Sequence, residues 1–498
     1  MSNERLLRLR KNTFSSIVLQ VTSVICGFII PQMILKAYGS NQNGLINSIS
    51  QFLSMITFLE FGLGAVIQSS LYKPLAENDV LQISRIVVSS QKFFNKLAFI
   101  LILYIVVLVF IYPIIVNDQF EWWYCTVMIL VLSSGLLVQY FLGIVNRLLL
   151  TADQRGYISN NIHTVTIILN TFACFILIQY KVSLLVLKFV TAFIFVIRPL
   201  FLMLYVRNYY KIDYKIKYDE EPIKQKWNGV AQHISAVVQE SANLIILTVF
   251  STLSNVSIYS IYNIVIIGVK QLFMSTTTGV QALLGELLAK KEWKQLSNYF
   301  SWIEWSIHTA TTYVFSLTGI LIIPFMQVYT KGITDADYIQ PIFSSLLISA
   351  HAFHCYRLPY NLMILAGGHF KQTQNCYIIA AVLNIFISIV AVKLFGLSGV
   401  GIGSVVALIY QIIWMMHYNA KYFIKRSYKD IFKQFLVNII VTLGAILISF
   451  QFNLETVSYI SWIILALKES IILLLVVVII NYLFFKSKIE RIFMMIFS

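Results

Sequence analysis

The chain has 498 residues, 58% of them hydrophobic and only 12% charged, with a mean hydropathy of +0.79. Those proportions exclude a single water-soluble core and describe a polytopic membrane protein. The formal charge of +16 invites a nucleic-acid reading, but most Lys and Arg fall in loops on one side of the expected topology, so no nucleic-acid partner is implied.

In chain order, a basic N-terminus (Arg5, Arg8, Arg10, Lys11) leads into an apolar run too long for a signal-peptide core and without a small-x-small cleavage site. It is expected to persist as the first helix. Fourteen candidate spans then run from end to end, at about 13–37, 44–71, 97–117, 123–150, 158–180, 182–206, 230–252, 256–288, 300–328, 341–366, 375–395, 399–418, 435–452 and 462–484. The expected fold is all-α, with about 14 transmembrane helices. With the N-terminus placed inside, every second loop is basic: Lys92 and Lys96, Arg207 to Lys226, Lys290 and Lys291, Lys421 to Lys433, Lys486 to Arg491. The opposite loops carry few cations and hold Asp118, Glu121, Asp335, Asp337 and Glu455. That asymmetry predicts a multi-pass protein of the cytoplasmic membrane with both termini cytoplasmic.

The longest polar stretch, Arg207 to Gly229, lies between spans six and seven and divides the chain. The expected organisation is an N-lobe over 1–222 (spans one to six), a C-lobe over 223–425 (spans seven to twelve) and two added spans over 426–498. A weak repeat supports it. At an offset near 213, Leu71 falls on Leu284, Ala76 on Ala289, Gln82 on Gln295 and Ser84 on Ser297; slightly further on, Asn146 falls on Asn361 and Asn170 on Asn384. Each lobe has an even number of spans, so the two six-helix lobes would be related by a pseudo-two-fold along the membrane normal.

Several stretches resemble the polysaccharide-exporter branch of the MATE-like superfamily, and Wzx-type flippases of O-antigen and capsule pathways above all. They are the Arg10-Lys11-Asn12 start of the first span, Gly39 and Gly44 around the first turn, Glu60-Phe-Gly-Leu-Gly, Leu71-Tyr-Lys-Pro-Leu-Ala and Ala152-Asp-Gln-Arg-Gly-Tyr. The resemblance implies a twelve-helix core and transfer of a polyprenyl-diphosphate-linked oligosaccharide of undecaprenyl type to the outer leaflet. Membrane lipids would be further partners, with a polysaccharide polymerase and other assembly proteins beside them.

Charges inside hydrocarbon need a partner or a purpose. Arg147, Arg198, Lys270 and Arg357 are the candidates for a cationic substrate cavity, since Arg and Lys would stabilise a diphosphate in transit. For Arg147 and Arg198 the alternative is a long stem snorkelling to the interface. Arg357 stands in a polar run, SAHAFHCYRLPYN, beside His351 and His354. Ion-coupling or gating candidates are Glu60, Glu240, His351 and His354. In the repeat frame Lys270 falls about one turn from Glu60, which leaves three readings open: a pair the substrate breaks, a proton site, or a fixed ion pair between the lobes. Lys188 and the adjacent Lys468 and Glu469 are further clear cases of charge within spans.

Enzyme signatures are absent: the chain has no GxxxxGK[ST], no HExxH and no GxSxG. The five cysteines (Cys26, Cys125, Cys174, Cys355, Cys376) lie in or beside apolar runs without CxxC spacing, so neither a disulfide framework, a metal nor another cofactor is indicated. A non-enzymatic transporter is expected. Its alternatives are a MATE-type multidrug or cation antiporter, which would want carboxylates where this chain has mostly cations, and a membrane-embedded glycosyltransferase or polymerase, for which no outer loop is long enough.

Overall fold

The computed structural model describes residues 3–60, 63–116, 119–216, 230–424, 428–449 and 454–497. Among them there is no strand. The helices are α1 (Asn3–Tyr38), α2 (Ser40–Ser54), α3 (Leu63–Glu77), α4 (Val80–Ile115), α5 (Trp122–Val138), α6 (Ile144–Ala152), α7 (Gly156–Gln179), α8 (Leu184–Tyr209), α9 (Val230–Phe250), α10 (Leu253–Met274), α11 (Thr277–Ala289), α12 (Trp293–Tyr329), α13 (Pro341–Ala366), α14 (Phe370–Phe395), α15 (Ser398–Tyr422), α16 (Tyr428–Ser449) and α17 (Tyr459–Phe497). A 3-10 segment, Met55–Glu60, follows α2, and a π-helical turn, Gln139–Gly143, joins α5 to α6.

Ten helical runs among the described residues are long and apolar enough to cross a bilayer, which makes this a multi-pass membrane protein. They coincide with ten of the fourteen expected spans. The other four expected spans are also helical but differ for identifiable reasons. The second is interrupted by the 3-10 turn at Met55–Glu60. The seventh and thirteenth are the helices α9 and α16, in which Ser241–Phe250 and Phe432–Leu447 are the apolar stretches among the described residues. The tenth, α13, carries Arg357, two histidines and Asn361 along one helix and is too polar.

The chain forms two compact units, Met1–Ser257 and Ile258–Ser498. In the first, α1 packs on α7, α7 on α8, and α5 on both α4 and α8, while α9 lies against α2 and the 3-10 turn. In the second, α14 packs on α15, α13 on α12 and α15, and the last two helices, α16 and α17, pack on α12 and each other. Without a hydrophobic force between helices in lipid, close approach depends on small residues. The Gly399, Gly401, Gly403 series of α15 shows this: a Cβ on Gly403 would sit 2.0 Å from Ser388 Oγ, and one on Gly399 2.2 Å from the Val392 nitrogen, both on α14.

The repeat is written into the backbone. Ser40 and Leu253, Val80 and Trp293 begin helices 213 residues apart; Leu63 and Thr277, Gly156 and Phe370, Leu184 and Ser398 do so 214 apart. Left-handed residues recur in the same turns, Asn78 (φ 55°) with Lys291 (φ 56°), and Gln154 (φ 56°) with Gly368 (φ 70°), the αL geometry in which helices commonly end. Asn170 and Asn384 are both buried, on α7 and α14. Within the first unit, residues one repeat apart bond directly: Ser254 Oγ donates to Asn41 Oδ1 at 2.6 Å, and Asn43 Nδ2 to Ser257 Oγ at 2.7 Å.

Candidate functional site

Two landmarks far apart in sequence meet at one end of the first unit. The Asn12 side chain donates to the Gln154 carbonyl (2.7 Å) and accepts from the Tyr157 N–H (2.7 Å), tying α1 to the turn between α6 and α7. In that turn Asp153 pairs with Arg155 (2.9 Å) and Arg8 (3.5 Å) and accepts from Tyr210 Oη (2.5 Å). Arg155 also lies 4.0 Å from the centre of the Tyr209 ring. Burial, reinforced by the Asp153 carboxylate, pushes the Tyr210 phenol well above its ordinary value, so it remains a donor at neutral pH. These contacts explain structurally why a basic Arg-Lys-Asn start and an Ala-Asp-Gln-Arg-Gly-Tyr turn occur together: each supplies what the other lacks.

Deeper in the same unit, Arg147 on α6 and Arg198 on α8 line one cavity of about 450 Å³ with Lys188 and His163. Arg198 donates to Ser159 Oγ at 3.1 Å. The two guanidinium groups lie close enough to repel each other, and both act on His163. Gln139 and Gly143, the ends of the π-helical turn, form part of the wall. A Cβ on Gly143 would stand 3.0 Å from that of Pro199, so the widened turn of one helix rests on the proline of another. The same π turn sends Tyr140 the other way, where its hydroxyl donates to Glu60 Oε1 at 2.6 Å. Gln91 Nε2 meets the Phe141 carbonyl at 2.8 Å, satisfying a backbone group inside the irregular turn.

In the second unit the structure brings together Lys270 on α10 with His351, His354 and Arg357 on α13. Lys270 is 9% exposed, and its charge reaches both histidines. Arg357 Nη1 donates to Gln411 Oε1 of α15 at 2.5 Å, and Nη2 to His354 Nδ1 at 3.3 Å. A guanidinium has only donors, so this nitrogen of His354 accepts. The Tyr377 ring lies 6.0 Å from the guanidinium carbon. Thus the sequence candidates fall into two clusters, Arg147 with Arg198 in one unit and Lys270, His351, His354 and Arg357 in the other, with Glu60 bonded to Tyr140. The Glu240 side chain lies outside the described residues. The neighbours Lys468 and Glu469 diverge on α17, the lysine exposed and the glutamate 0% exposed, as consecutive helical residues must.

Sequence reasoning missed a buried network around Glu304 and His308 on α12. Tyr360 Oη donates to Glu304 Oε1 at 2.6 Å, Asn419 Nδ2 reaches the Tyr360 carbonyl at 3.0 Å, and His308 Nε2 donates to the Tyr356 carbonyl at 2.9 Å. The available signal was the spacing itself: an acid and a histidine four apart in EWSIH share one helical face. His163 was likewise overlooked. Among the described residues no group of His, Cys, Asp and Glu side chains is arranged to hold a metal ion.

No known family's sequence profile matches the chain, and no curated protein matches it either. Solved structures do. A lipid II flippase MurJ in an inward closed conformation superposes with a TM-score of 0.73 over 95% of this chain and 99% of its own, at 13% identity. An outward-facing multidrug resistance MATE family transporter of the MOP superfamily gives 0.55 over 84% and 98%, at 14% identity. A MOP superfamily transporter from Pyrococcus furiosus, described as having a binding pocket of reversed polarity, gives 0.52 over 83% and 96%, at 14% identity. The chain therefore shares the fold of these solved transporter structures. Within that fold, the structure of greatest overlap among these three is that of a flippase.

Proposed function

We propose that this protein is a flippase that moves a polyprenyl-diphosphate-linked oligosaccharide from the inner to the outer leaflet of the cytoplasmic membrane, for capsule, O-antigen or exopolysaccharide assembly. The observation that carries the reading is the sign of the intramembrane charge. In a fold shared by a lipid II flippase and by multidrug exporters, both candidate clusters here are cationic, with Arg147, Lys188 and Arg198 in one and Lys270 and Arg357 in the other. Such clusters attract phosphoryl groups and repel organic cations. The head group would pass these cations while the polyprenyl tail stays in lipid. Transport would proceed by alternating access between two six-helix lobes related by a two-fold along the membrane normal, both termini cytoplasmic. The direct bond between Asn41 and Ser254, one repeat apart, supports such an axis, because residues beside a two-fold meet their own counterparts. The MATE superposition leaves out 16% of the chain, about 80 residues, which is the size of the added segment holding α16 and α17.

The test is deletion in the native host. The expected outcome is accumulation of lipid-linked repeat units facing the cytoplasm, with loss of surface polysaccharide; K270Q should reproduce it at normal protein abundance. Unchanged polysaccharide together with heightened sensitivity to cationic dyes would overturn the proposal in favour of a MATE-type exporter. That second reading has its own support in the buried carboxylates Glu304 and Glu469, 2% and 0% exposed, which suit proton or cation exchange.

A further inference from the structure

The cavity between α5–α6, α7 and α8 breaks the rule that charges inside a membrane protein come paired. Three cations face it, Arg147, Lys188 and Arg198, and no carboxylate lines it among the described residues. Among the described residues, none of the three has an Asp or Glu within ion-pair distance, whereas the Arg8–Asp153–Arg155 cluster of the same unit is fully paired. Snorkelling explains a single stem that escapes to water. It does not explain two guanidinium groups that stay near enough to repel across a shared void, one of them fixed by Ser159.

The walls are built for occupancy. The π-helical turn and Pro199 are two interruptions of regular helix that meet at this cavity through Gly143. The volume of about 450 Å³ falls in the range of small-molecule sites, about 300–1,000 Å³. Lys188 and Arg198 are ten residues apart on α8, hence about 15 Å along its axis, so the cavity is longer than one phosphate. Leu132, Leu136 and Phe195 supply apolar wall between the charged ends.

We propose that this cavity is an anion site for a phosphate or diphosphate ester, its phosphoryl group held between Arg147 and Arg198 and the rest of the ligand lying toward Lys188. Guanidinium forks match phosphoryl oxygens bidentately, and a dianion converts the repulsion into attraction. The chemistry is shared by free diphosphate, the head group of a lipid-linked sugar and an anionic phospholipid. The site is one of the two cationic clusters of the proposed function, on which a lipid-linked ligand here rests, and its binding is tested apart from translocation.

The experiment uses the full purified chain in detergent and in nanodiscs of phosphatidylcholine, with inorganic diphosphate as probe and thermal unfolding as readout. Saturable stabilisation of about 2–5 °C is expected, weakening at high salt. R147Q/R198Q should abolish it while leaving the unliganded protein equally or more heat-resistant, because the mutual repulsion is gone. K270Q should leave it intact. R147K/R198K, which keeps the charges and loses the forks, should weaken binding about tenfold and guards against misfolding of the first variant. Nanodiscs containing phosphatidylglycerol separate the sources: stabilisation that blocks the diphosphate response identifies bilayer lipid as the occupant, and an undiminished diphosphate response identifies a soluble or substrate-borne phosphoryl group. No saturable diphosphate effect on the unmodified chain, or an equal effect in R147Q/R198Q, overturns the site. Absence of translocation by the unmodified chain, with its diphosphate binding intact, would instead count against the flippase reading alone.

Discussion

Gly44→Ala tests the packing of the first unit at a point of direct backbone contact. Gly44 packs α2 directly on the start of α10, where an added Cβ would lie 1.9 Å from the Leu253 carbonyl oxygen and 2.6 Å from its carbon. Restoring ordinary contact at 3.4 Å requires the two backbones to part by about 1.5 Å. Backbone cannot rotate away as a flexible side chain can. Three bonds share the seam: Asn41–Ser254 at 2.6 Å, Asn43–Ser257 at 2.7 Å and Ser48–Thr248 at 2.8 Å. A 1.5 Å separation takes the two nearest beyond hydrogen-bond length. Overpacking costs about 1–3 kcal/mol and each lost bond about 0.5–1.5 kcal/mol, so with two bonds lost the closed seam should weaken by about 2–6 kcal/mol. Even the lower figure changes its population roughly 30-fold. Disulfide trapping of N41C/S254C reads this directly, since the five native cysteines are buried. Trapping should be rapid in the parent and slowed at least tenfold by G44A. Equal trapping rates, with an unchanged unfolding temperature, would refute the contact.

Three further outcomes are expected. Asp153→Asn removes the charge that Arg8, Arg155 and Tyr210 share and should lower stability by about 1–3 kcal/mol by thermal unfolding; because the Tyr210 phenol is raised above its unfolded value near 10, its bond contributes fully below that pH and is lost only on further alkalinisation, so the loss should be flat from pH 6 to 9. Glu469→Leu should stabilise by about 1–3 kcal/mol, since neither carboxyl oxygen has a hydrogen-bond partner, and a lower unfolding temperature would show that this acid is satisfied. Tyr140→Phe deprives Glu60 of its 2.6 Å donor and should cost about 1–2 kcal/mol; stability equal to the parent would mean that this bond contributes nothing.

Much of the architecture is legible in the chain because hydropathy is local and additive. At 1.5 Å per residue a span must be about 20 apolar residues wherever its neighbours lie, and the described part of each expected span is helical in the structure. The repeat was legible too, from Asn170 and Asn384 as much as from the loops. Tertiary structure alone decided which side chains meet. Hydropathy places Arg147, His163, Lys188 and Arg198 on three different spans but says nothing of helix rotation, which is set by small residues, side-chain bonds and irregular turns such as Gln139–Gly143. Nor does it reveal that Glu304 lies within a polar network, because a carboxylate in the amphipathic start of α12 reads as solvated until Tyr360 is found against it. Glu60 shows both halves of the lesson. Its presence in a span was evident at once, whereas its partner, Tyr140, sits 80 residues away and became its neighbour only when a π-helical turn rotated the ring toward it.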